Sequence, residues 1–133
     1  MDLEVLKIAS NTDNHKIIEG HTHISKQKNP LCGDEMEISL VVKNEKIIEF
    51  GYQCKSCIYC QAAVSLLSRK SINKPIKTIN KITNLALIFF EKNDICFKKE
   101  WLIFNKLFDK KNISRKECLK LPFKTLAKAL NFK

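Results

Sequence analysis

The chain has 133 residues, a net charge of +10 and an apolar content of 44%. These values exclude a disordered polypeptide and predict one domain, residues 1–133, that buries a core of its own. The longest apolar run, residues 85–90, is too short to span a bilayer, and the first residues lack a secretory signal. We therefore expect a cytoplasmic protein with no membrane partner.

The positive charge raises the question of a nucleic-acid partner. The 24 basic residues are mostly lysines, spread along the chain from Lys7 to Lys133, and arginine occurs only at Arg69 and Arg115. No aromatic platform or nucleic-acid motif accompanies them. We therefore interpret them as solvated surface lysines and do not expect nucleic acid as a partner.

The first half of the chain predicts a short helix followed by strands. Apolar spacing indicates a helix over residues 2–9, and loose alternation indicates a first strand over residues 21–27. Strict alternation of apolar and polar residues predicts a half-buried strand over residues 35–42. A tight polar turn then leads to a third strand over residues 46–53, which is rich in β-forming side chains.

The second half has the apolar period of helices. Pro122 is tolerated only in a first helical turn, so the last helix is predicted to begin near it. Trp101, Phe104 and Phe108 have helical spacing and are predicted to pack in the core. The helical segments are residues 57–70, 75–81, 84–91, 99–108 and 119–130. Strands followed by helices predict an α+β fold, a small three-stranded antiparallel sheet with helices packed on one face.

A turn before the second predicted strand combines a thiol with a carboxylate. Pro30 restricts the backbone, and Gly33, between Cys32 and Asp34, can adopt the left-handed conformation that a tight turn needs. Six cysteines in a reducing compartment favour metal binding or sulfur chemistry over disulfides.

Two more cysteines stand where predicted helices begin. The helix dipole favours a thiolate there, so Cys57 and Cys118 are predicted to ionise more readily than a buried cysteine. Together with Cys32 and Asp34 they form a set of three sulfurs and one oxygen. Such a set can hold zinc tetrahedrally or complete the iron ligands of a small cluster.

These motifs resemble a known family. The turn Asn29-Pro30-Leu31-Cys32-Gly33-Asp34, Cys57 opening a helix, and Arg115-Lys116-Glu117-Cys118 leading into the last helix are similar to the U-type iron-sulfur cluster scaffold proteins, which comprise IscU, SufU and the NifU N-terminal domain. The resemblance runs from about residue 22 to residue 130 and implies a SufE/NifU-like fold. The third cysteine follows Cys57 by 61 positions, a spacing that resembles the SufU-like branch.

The resemblance implies a site and a function. Cys32, Asp34, Cys57 and Cys118 would be the ligands of a transient [2Fe-2S] cluster, built with sulfur from a cysteine desulfurase and passed to apo iron-sulfur proteins. Cys32 would accept the persulfide. The protein would be a scaffold and not an enzyme. The alternative, taken from SufU-like proteins, is a zinc-binding sulfur acceptor with a sulfurtransferase role.

The sequence departs from the family around the second cysteine, where it reads Cys54-x-x-Cys57-x-x-Cys60. This spacing opens a ferredoxin [4Fe-4S] site, but the partner cysteine before a proline is missing. Cys54 and Cys60 are therefore interpreted as core cysteines or as thiols that widen the site. Cys96 is predicted to be a small core residue, and His21 and His23 to lie on a surface strand.

Overall fold

The computed structural model describes residues 3–30, 33–92 and 94–131. Its three strands are β1 (His23–Lys28), β2 (Glu35–Lys43) and β3 (Lys46–Lys55). Its α-helices are α1 (Leu3–Ala9), α2 (Ile58–Ser71), α3 (Ile76–Ile88) and α4 (Lys116–Leu130), and the 3₁₀ helices Lys99–Lys106 and Lys110–Arg115 stand between α3 and α4. Within these ranges, no helix has the length and apolar character needed to cross a membrane.

The strands form one antiparallel sheet in the order β1-β2-β3. Alternation in β2 places Met36, Ile38 and Leu40 on the same face of the sheet, and all three are fully buried. Their partners on β3 continue that buried face, since Ile38 pairs with Tyr52 and Leu40 with Phe50. The helices pack against this sheet, which confirms the predicted α+β architecture.

Two helices cover the sheet and carry parts of the candidate site. Helix α2 packs on β3, and α4 packs on β1 and β2. Helix α1 packs on α2, and α3 packs on α4. Phe104 and Phe108 both contact Phe123 of α4 through their rings, so the segment between α3 and α4 is joined to the same core. Trp101, Phe104 and Phe108 are buried, as predicted.

The segment before β1 packs along the edge strand β3 and over the face of the sheet opposite the helices. The amide of Tyr52 donates to the carbonyl of Asn14 at 3.0 Å, and the amide of Ile18 donates to Ser39 Oγ at 2.9 Å. A Cβ at Gly51 would lie 2.5 Å from the Lys16 carbonyl oxygen and 2.9 Å from Ile18 Cγ1. Glycine is therefore required at position 51 for this close approach.

The helical half differs from the prediction in three places. The separate helices predicted over residues 75–81 and 84–91 are the single helix α3. The segment predicted as a helix over residues 99–108 is a 3₁₀ helix, in which Trp101, Phe104 and the following Leu107 recur every third residue and are buried. Three residues per turn bring such positions onto one face. Helix α4 begins six residues before Pro122, which lies inside it.

The prediction that Cys96 is a core residue is wrong, because its side chain is exposed. The neighbouring Phe97 is the buried residue of this segment. The side-chain amide of Asn105 accepts from the Phe97 amide and donates to the Phe97 carbonyl, both at 2.9 Å. This pair of bonds fixes Phe97 toward the core and leaves Cys96 outside.

Candidate metal centre

Three of the predicted ligands come together in the fold. Asp34, Cys57 and Cys118 each offer one donor atom, and these three atoms lie within 4.8 Å of one another. Asp34 stands just before β2, Cys57 just before α2, and Cys118 in the first turn of α4. Cys32 lies outside the described residues, so its part in the site stays a prediction.

A closed turn positions Asp34. The amide of Gly33 donates to the Asn29 carbonyl at 2.8 Å, and the amide of Asn29 donates to the Asp34 carbonyl at 2.7 Å. Gly33 has φ +74°, which confirms the predicted left-handed conformation. The two bonds fix the backbone of Asp34 where the turn enters the sheet.

Cys57 occupies the N-cap position of α2. Its backbone is extended, with φ −69° and ψ 167°, and its carbonyl accepts from the Gln61 amide at 3.0 Å. The side chain of Gln61 also donates to the Ser56 carbonyl at 2.9 Å. Gln61 therefore braces the turn that presents the thiol, a role that the sequence pattern does not reveal.

Cys118 is the third residue of α4 and is buried, with 7% of its surface exposed. Just before the helix, the guanidinium of Arg115 lies 5.5 Å from the centre of the Tyr59 ring in α2. This cation–π contact joins the beginnings of the two helices that carry the thiols. Sequence reasoning missed it because the two residues are distant along the chain.

The protonation of Cys118 differs from the prediction. Burial raises the pKa of the Cys118 thiol well above its ordinary value, and the neighbouring Cys57 and Asp34 raise it further. In the metal-free protein, this raised pKa is the opposite of the prediction that Cys118 ionises readily. A metal ion at this position would have to displace the thiol proton.

Asp34 supplies an observation that points to a cation. The residue is only 7% exposed, and its Oδ2 atom is buried without a hydrogen-bond partner among the described residues. A buried carboxylate oxygen is costly unless hydrogen bonds or positive charge compensate it. Because two thiols lie beside it, a metal ion that binds both sulfur and oxygen, such as zinc or iron, would be a suitable partner for this oxygen.

The two additional cysteines have different environments. Cys60 is fully buried within the hydrophobic core, and burial strongly raises the pKa of its thiol. Cys54 ends β3 and is half-buried. Burial also raises the pKa of the Cys54 thiol, against a smaller lowering by the Ser56 hydroxyl. Ser56 Oγ itself is buried and makes no hydrogen bond of good geometry within the described part of the chain.

The histidines stand apart from the three donor atoms. His23 opens β1, whereas the exposed His21 precedes it, so the prediction that His21 lies on a strand is wrong. His15 contacts the Tyr52 ring edge-on, with 5.2 Å between the ring centres. Among the described residues, none of the three histidines belongs to the group of donor atoms that could hold a metal ion.

A cavity of about 230 Å³ lies beside the site. It is lined by Asn29 and Pro30 of the turn that carries Asp34, and by Glu117 and Leu121 of α4. Glu117 forms ion pairs with Lys120 at 3.7 Å and Lys124 at 3.2 Å. The cavity therefore opens between two of the segments that position the donor atoms.

The sequence is similar to one protein family and to one curated protein. The sequence matches the family model described as the NifU-like N terminal domain over residues 2–92. It is 26% identical over 121 residues to an uncharacterized protein of Borreliella burgdorferi, a match that covers 88% of this chain and 81% of that protein.

Solved structures share the fold. A nitrogen-fixing NifU-like protein (N-terminal) from Brucella abortus is similar with a TM-score of 0.90 and 15% identity, covering 98% of this chain and 91% of that one. A putative iron-sulfur cluster assembly scaffold protein for the SUF system from Fervidobacterium islandicum AW-1 is similar with a TM-score of 0.86 and 23% identity, covering 98% and 96%. The family match ends before Cys118, whereas the structural likeness extends through almost the whole chain.

Proposed function

Because this chain belongs to the NifU-like N-terminal domain family, we propose that it is a scaffold for iron-sulfur cluster assembly. It binds iron and persulfide-derived sulfur at Cys32, Asp34, Cys57 and Cys118 and transfers the cluster to apo-proteins. The observation that carries the proposal is the meeting of two thiols and one buried carboxylate oxygen within 4.8 Å, from three distant parts of the chain.

The cluster is the cargo of this site, and the protein acts as a carrier and not as an enzyme. Thiolates bind iron strongly, whereas a carboxylate oxygen is a weaker partner for the iron of a sulfide cluster. A site with mixed ligands therefore holds its cluster long enough for assembly and still releases it. We assign Asp34 as the ligand that makes release easy.

The sulfur comes from a cysteine desulfurase, which delivers it as a persulfide. We assign Cys32 as the thiol that receives this sulfur. The persulfide then needs electrons to become cluster sulfide, and these come from a reductant outside the chain. The cluster that results is a transient [2Fe-2S] cluster, and the recipients are apo iron-sulfur proteins.

A zinc-dependent sulfur acceptor is the second candidate. Four tetrahedral ligands with Zn–S bonds of about 2.3 Å have sulfur atoms about 3.8 Å apart. The donor atoms of Asp34, Cys57 and Cys118, which lie within 4.8 Å of one another, are close enough to share one zinc ion, so they support this candidate as well. In this role the zinc remains bound and one thiol accepts sulfur from the desulfurase.

Metal analysis of protein purified without air separates the two candidates. The scaffold proposal expects iron and sulfide to be retained after reconstitution, with visible absorbance and a brown colour. One tightly bound zinc per chain and no absorbance after reconstitution would refute it and favour the sulfur acceptor.

The ligand set is tested with two serine variants. Cys118→Ser should lose most of the reconstituted cluster, because it removes a buried donor. Cys96→Ser is the matched control, since Cys96 is exposed. Equal metal retention in Cys118→Ser and the wild type would contradict the four-ligand site under either function.

A further inference from the structure

One edge of the sheet is open, and this edge is β1. Within the part of the chain that the structure describes, β1 pairs with β2 and with no other strand. The opposite edge, at β3, is covered, because the Tyr52 amide donates to the Asn14 carbonyl and Lys46 forms a bridge with Pro75. Unpaired amides and carbonyls at a sheet edge are a template for pairing with another chain. Such a template is therefore present at β1.

The hydrogen-bond pattern shows which residues of β1 face the open edge. Successive residues of an antiparallel strand direct their backbone groups alternately toward the partner strand and away from it. The Asn29 amide donates to the Asp34 carbonyl at 2.7 Å, so every second residue before Asn29 is directed toward β2. The residues between them, Ile24, Lys26 and Lys28, direct their amides and carbonyls outward. An added strand could form hydrogen bonds with these three residues.

Lysines border the open edge on two elements. Lys26 and Lys28 are exposed on β1 itself. Helix α4 packs on β1 and carries the exposed Lys124 and Lys128. Positions 121, 124 and 128 have the spacing of one helix face, and Leu121, Lys124 and Lys28 line the same cavity. The lysines of both elements therefore lie along one groove.

Three glutamates near these lysines do not cancel their charge. Glu37 and Glu35 of β2 are half-buried opposite the two lysines of β1. On α4, Glu117 forms ion pairs with Lys120 at 3.7 Å and Lys124 at 3.2 Å. With Lys120 included, five lysines of β1 and α4 thus stand against three glutamates along this groove. The open edge is therefore bordered by net positive charge.

This charge indicates what can occupy the edge. A second copy of the chain would bring the same lysines against Lys26 and Lys28, and like charges on paired strands are destabilising. The net charge of +10 also opposes association of two copies. An acidic strand would instead combine backbone hydrogen bonds with complementary charge. Ile24, which is 45% exposed, offers such a strand an apolar contact.

The open edge leads directly to the candidate metal centre. Strand β1 ends at Lys28, and the next residues, Asn29 and Pro30, belong to the turn that carries Asp34. The cavity of about 230 Å³ lies at this end of the groove. A protein held along β1 would therefore be positioned beside the donor atoms.

We propose that the open edge of β1 binds an extended acidic segment of a partner protein, which adds to the sheet as a fourth strand. The partner is a protein that exchanges sulfur or cluster with the metal centre, and this part of the inference rests on the proposed scaffold function. The lysines of β1 and α4 select the acidic segment. Binding of the segment itself requires no cluster.

A synthetic peptide serves as the probe for this edge. It is a hexapeptide of alternating glutamate and valine with blocked ends, and the reference peptide has lysine in place of glutamate. Two-dimensional NMR of the ¹⁵N-labelled full chain follows binding and amide hydrogen exchange. The acidic peptide should slow exchange of the Ile24, Lys26 and Lys28 amides several-fold, because these amides become hydrogen-bonded. The basic peptide should leave the exchange of these amides unchanged.

Two substitutions at one position separate strand addition from attraction of charge. Lys26→Pro removes an outward amide that does not donate to β2, and proline is tolerated on an edge strand. Lys26→Ala removes the same charge and keeps the amide. Lys26→Pro should lose most of the peptide binding, whereas Lys26→Ala should keep most of it. Both variants should retain the circular dichroism of the wild type.

Charge reversal on α4 tests the second border of the groove. The double variant Lys124→Glu, Lys128→Glu should bind the acidic peptide about tenfold more weakly, because two attractive charges become repulsive. Lys77→Glu reverses an exposed charge on α3 and is the matched control. Equal weakening by the double variant and by Lys77→Glu would show that net charge alone acts, and would overturn the inference.

The remaining outcomes are also decisive. Equal peptide binding by folded Lys26→Pro and Lys26→Ala overturns strand addition, and so does equal binding of the two peptides or no binding of either. Protection of the outward amides that increases with protein concentration, without peptide, would make the edge an interface between copies of this chain and also overturn the inference. A wild type that binds the acidic peptide as described but holds no cluster would support the edge site and refute the scaffold function.

Discussion

At Asp34, a carboxylate is buried beside thiols with one of its oxygens unpartnered by any described residue. In a metal-free protein this arrangement is costly, because the oxygen has lost its hydration without gaining a hydrogen bond. A bound cation compensates the charge. The carboxylate is also the weakest ligand for iron in the proposed set, so the same residue favours loading and limits the lifetime of the loaded state.

Replacement of Asp34 tests this double role. In Asp34→Ala, transfer of a reconstituted cluster to an apo-ferredoxin should slow on the order of tenfold, which corresponds to about 1.4 kcal/mol in the barrier. Transfer is followed by the circular dichroism of the recipient's cluster. Glu91→Ala removes an exposed carboxylate and should leave the rate unchanged. Release from Asp34→Ala at the wild-type rate would show that Asp34 is not the labile ligand.

The residue scale also shows what sequence alone can establish about the site. The turn before Asp34 contains a proline and a glycine, residues typical of tight turns, so the left-handed conformation of Gly33 could be predicted from the sequence. The acidity of Cys118 is not predictable in this way. It depends on burial and on the neighbouring Cys57 and Asp34, which the fold brings from distant positions.

Among the elements, the end of α3 is held by a lysine from the segment that follows it. Lys110 Nζ donates to the carbonyls of Phe89 and Lys92 at 2.7 and 2.8 Å. It also lies 4.9 Å from the centre of the Phe89 ring. Carbonyls at a helix C-terminus have no partner within the helix, and a cation there interacts favourably with the dipole. Lys110 thus ties the second 3₁₀ helix to α3.

Removal of this amino group should lower stability. Lys110→Met keeps most of the side-chain length and loses two charge-assisted hydrogen bonds, so the free energy of unfolding should fall by about 1–2 kcal/mol. Urea unfolding followed by the fluorescence of Trp101 measures the change. Lys77→Met, at an exposed position of α3, is the control. Equal losses in the two variants would mean that the contacts of Lys110 contribute nothing specific.

The helices show where local patterns stop being informative. Ile79, Ile82, Thr83 and Ala86 are buried along one stripe of α3, and this stripe continues through the position where the sequence suggested two separate helices. In α4, Pro122 cannot donate to the carbonyl of Cys118, which a residue at that position normally does. Packing of α4 on the sheet and on α2 outweighs this loss, so proline does not mark the helix start.

Over the whole molecule, the site exists only because the sheet, α2 and α4 pack together. Asp34, Cys57 and Cys118 belong to different elements, and no local pattern gives the distances among them. The positions of these residues at junctions between predicted elements suggested that they converge, and the resemblance to a family added to that expectation.

Since three chain-distant donors must be brought together, metal binding should stabilise the whole fold. Zn²⁺ at 100 times its dissociation constant should raise the free energy of unfolding by about 2.7 kcal/mol, less any contribution from zinc bound to unfolded thiols. The raised pKa of Cys118 means that zinc must displace a proton, so binding strengthens as pH rises. At one fixed Zn²⁺ concentration, stabilisation should therefore be larger at pH 8 than at pH 6.

The metal-free protein provides the baseline for this comparison. Ordinary thiols ionise at a pKa of about 8.5, and that of folded Cys118 is higher. The thiol is then largely protonated in both folded and unfolded chains from pH 6 to 8, and it contributes little pH dependence without metal. Urea unfolding at both pH values, with and without Zn²⁺, isolates the metal effect. Cys118→Ser should lose most of it, and equal stabilisation of this variant and the wild type would place the zinc elsewhere.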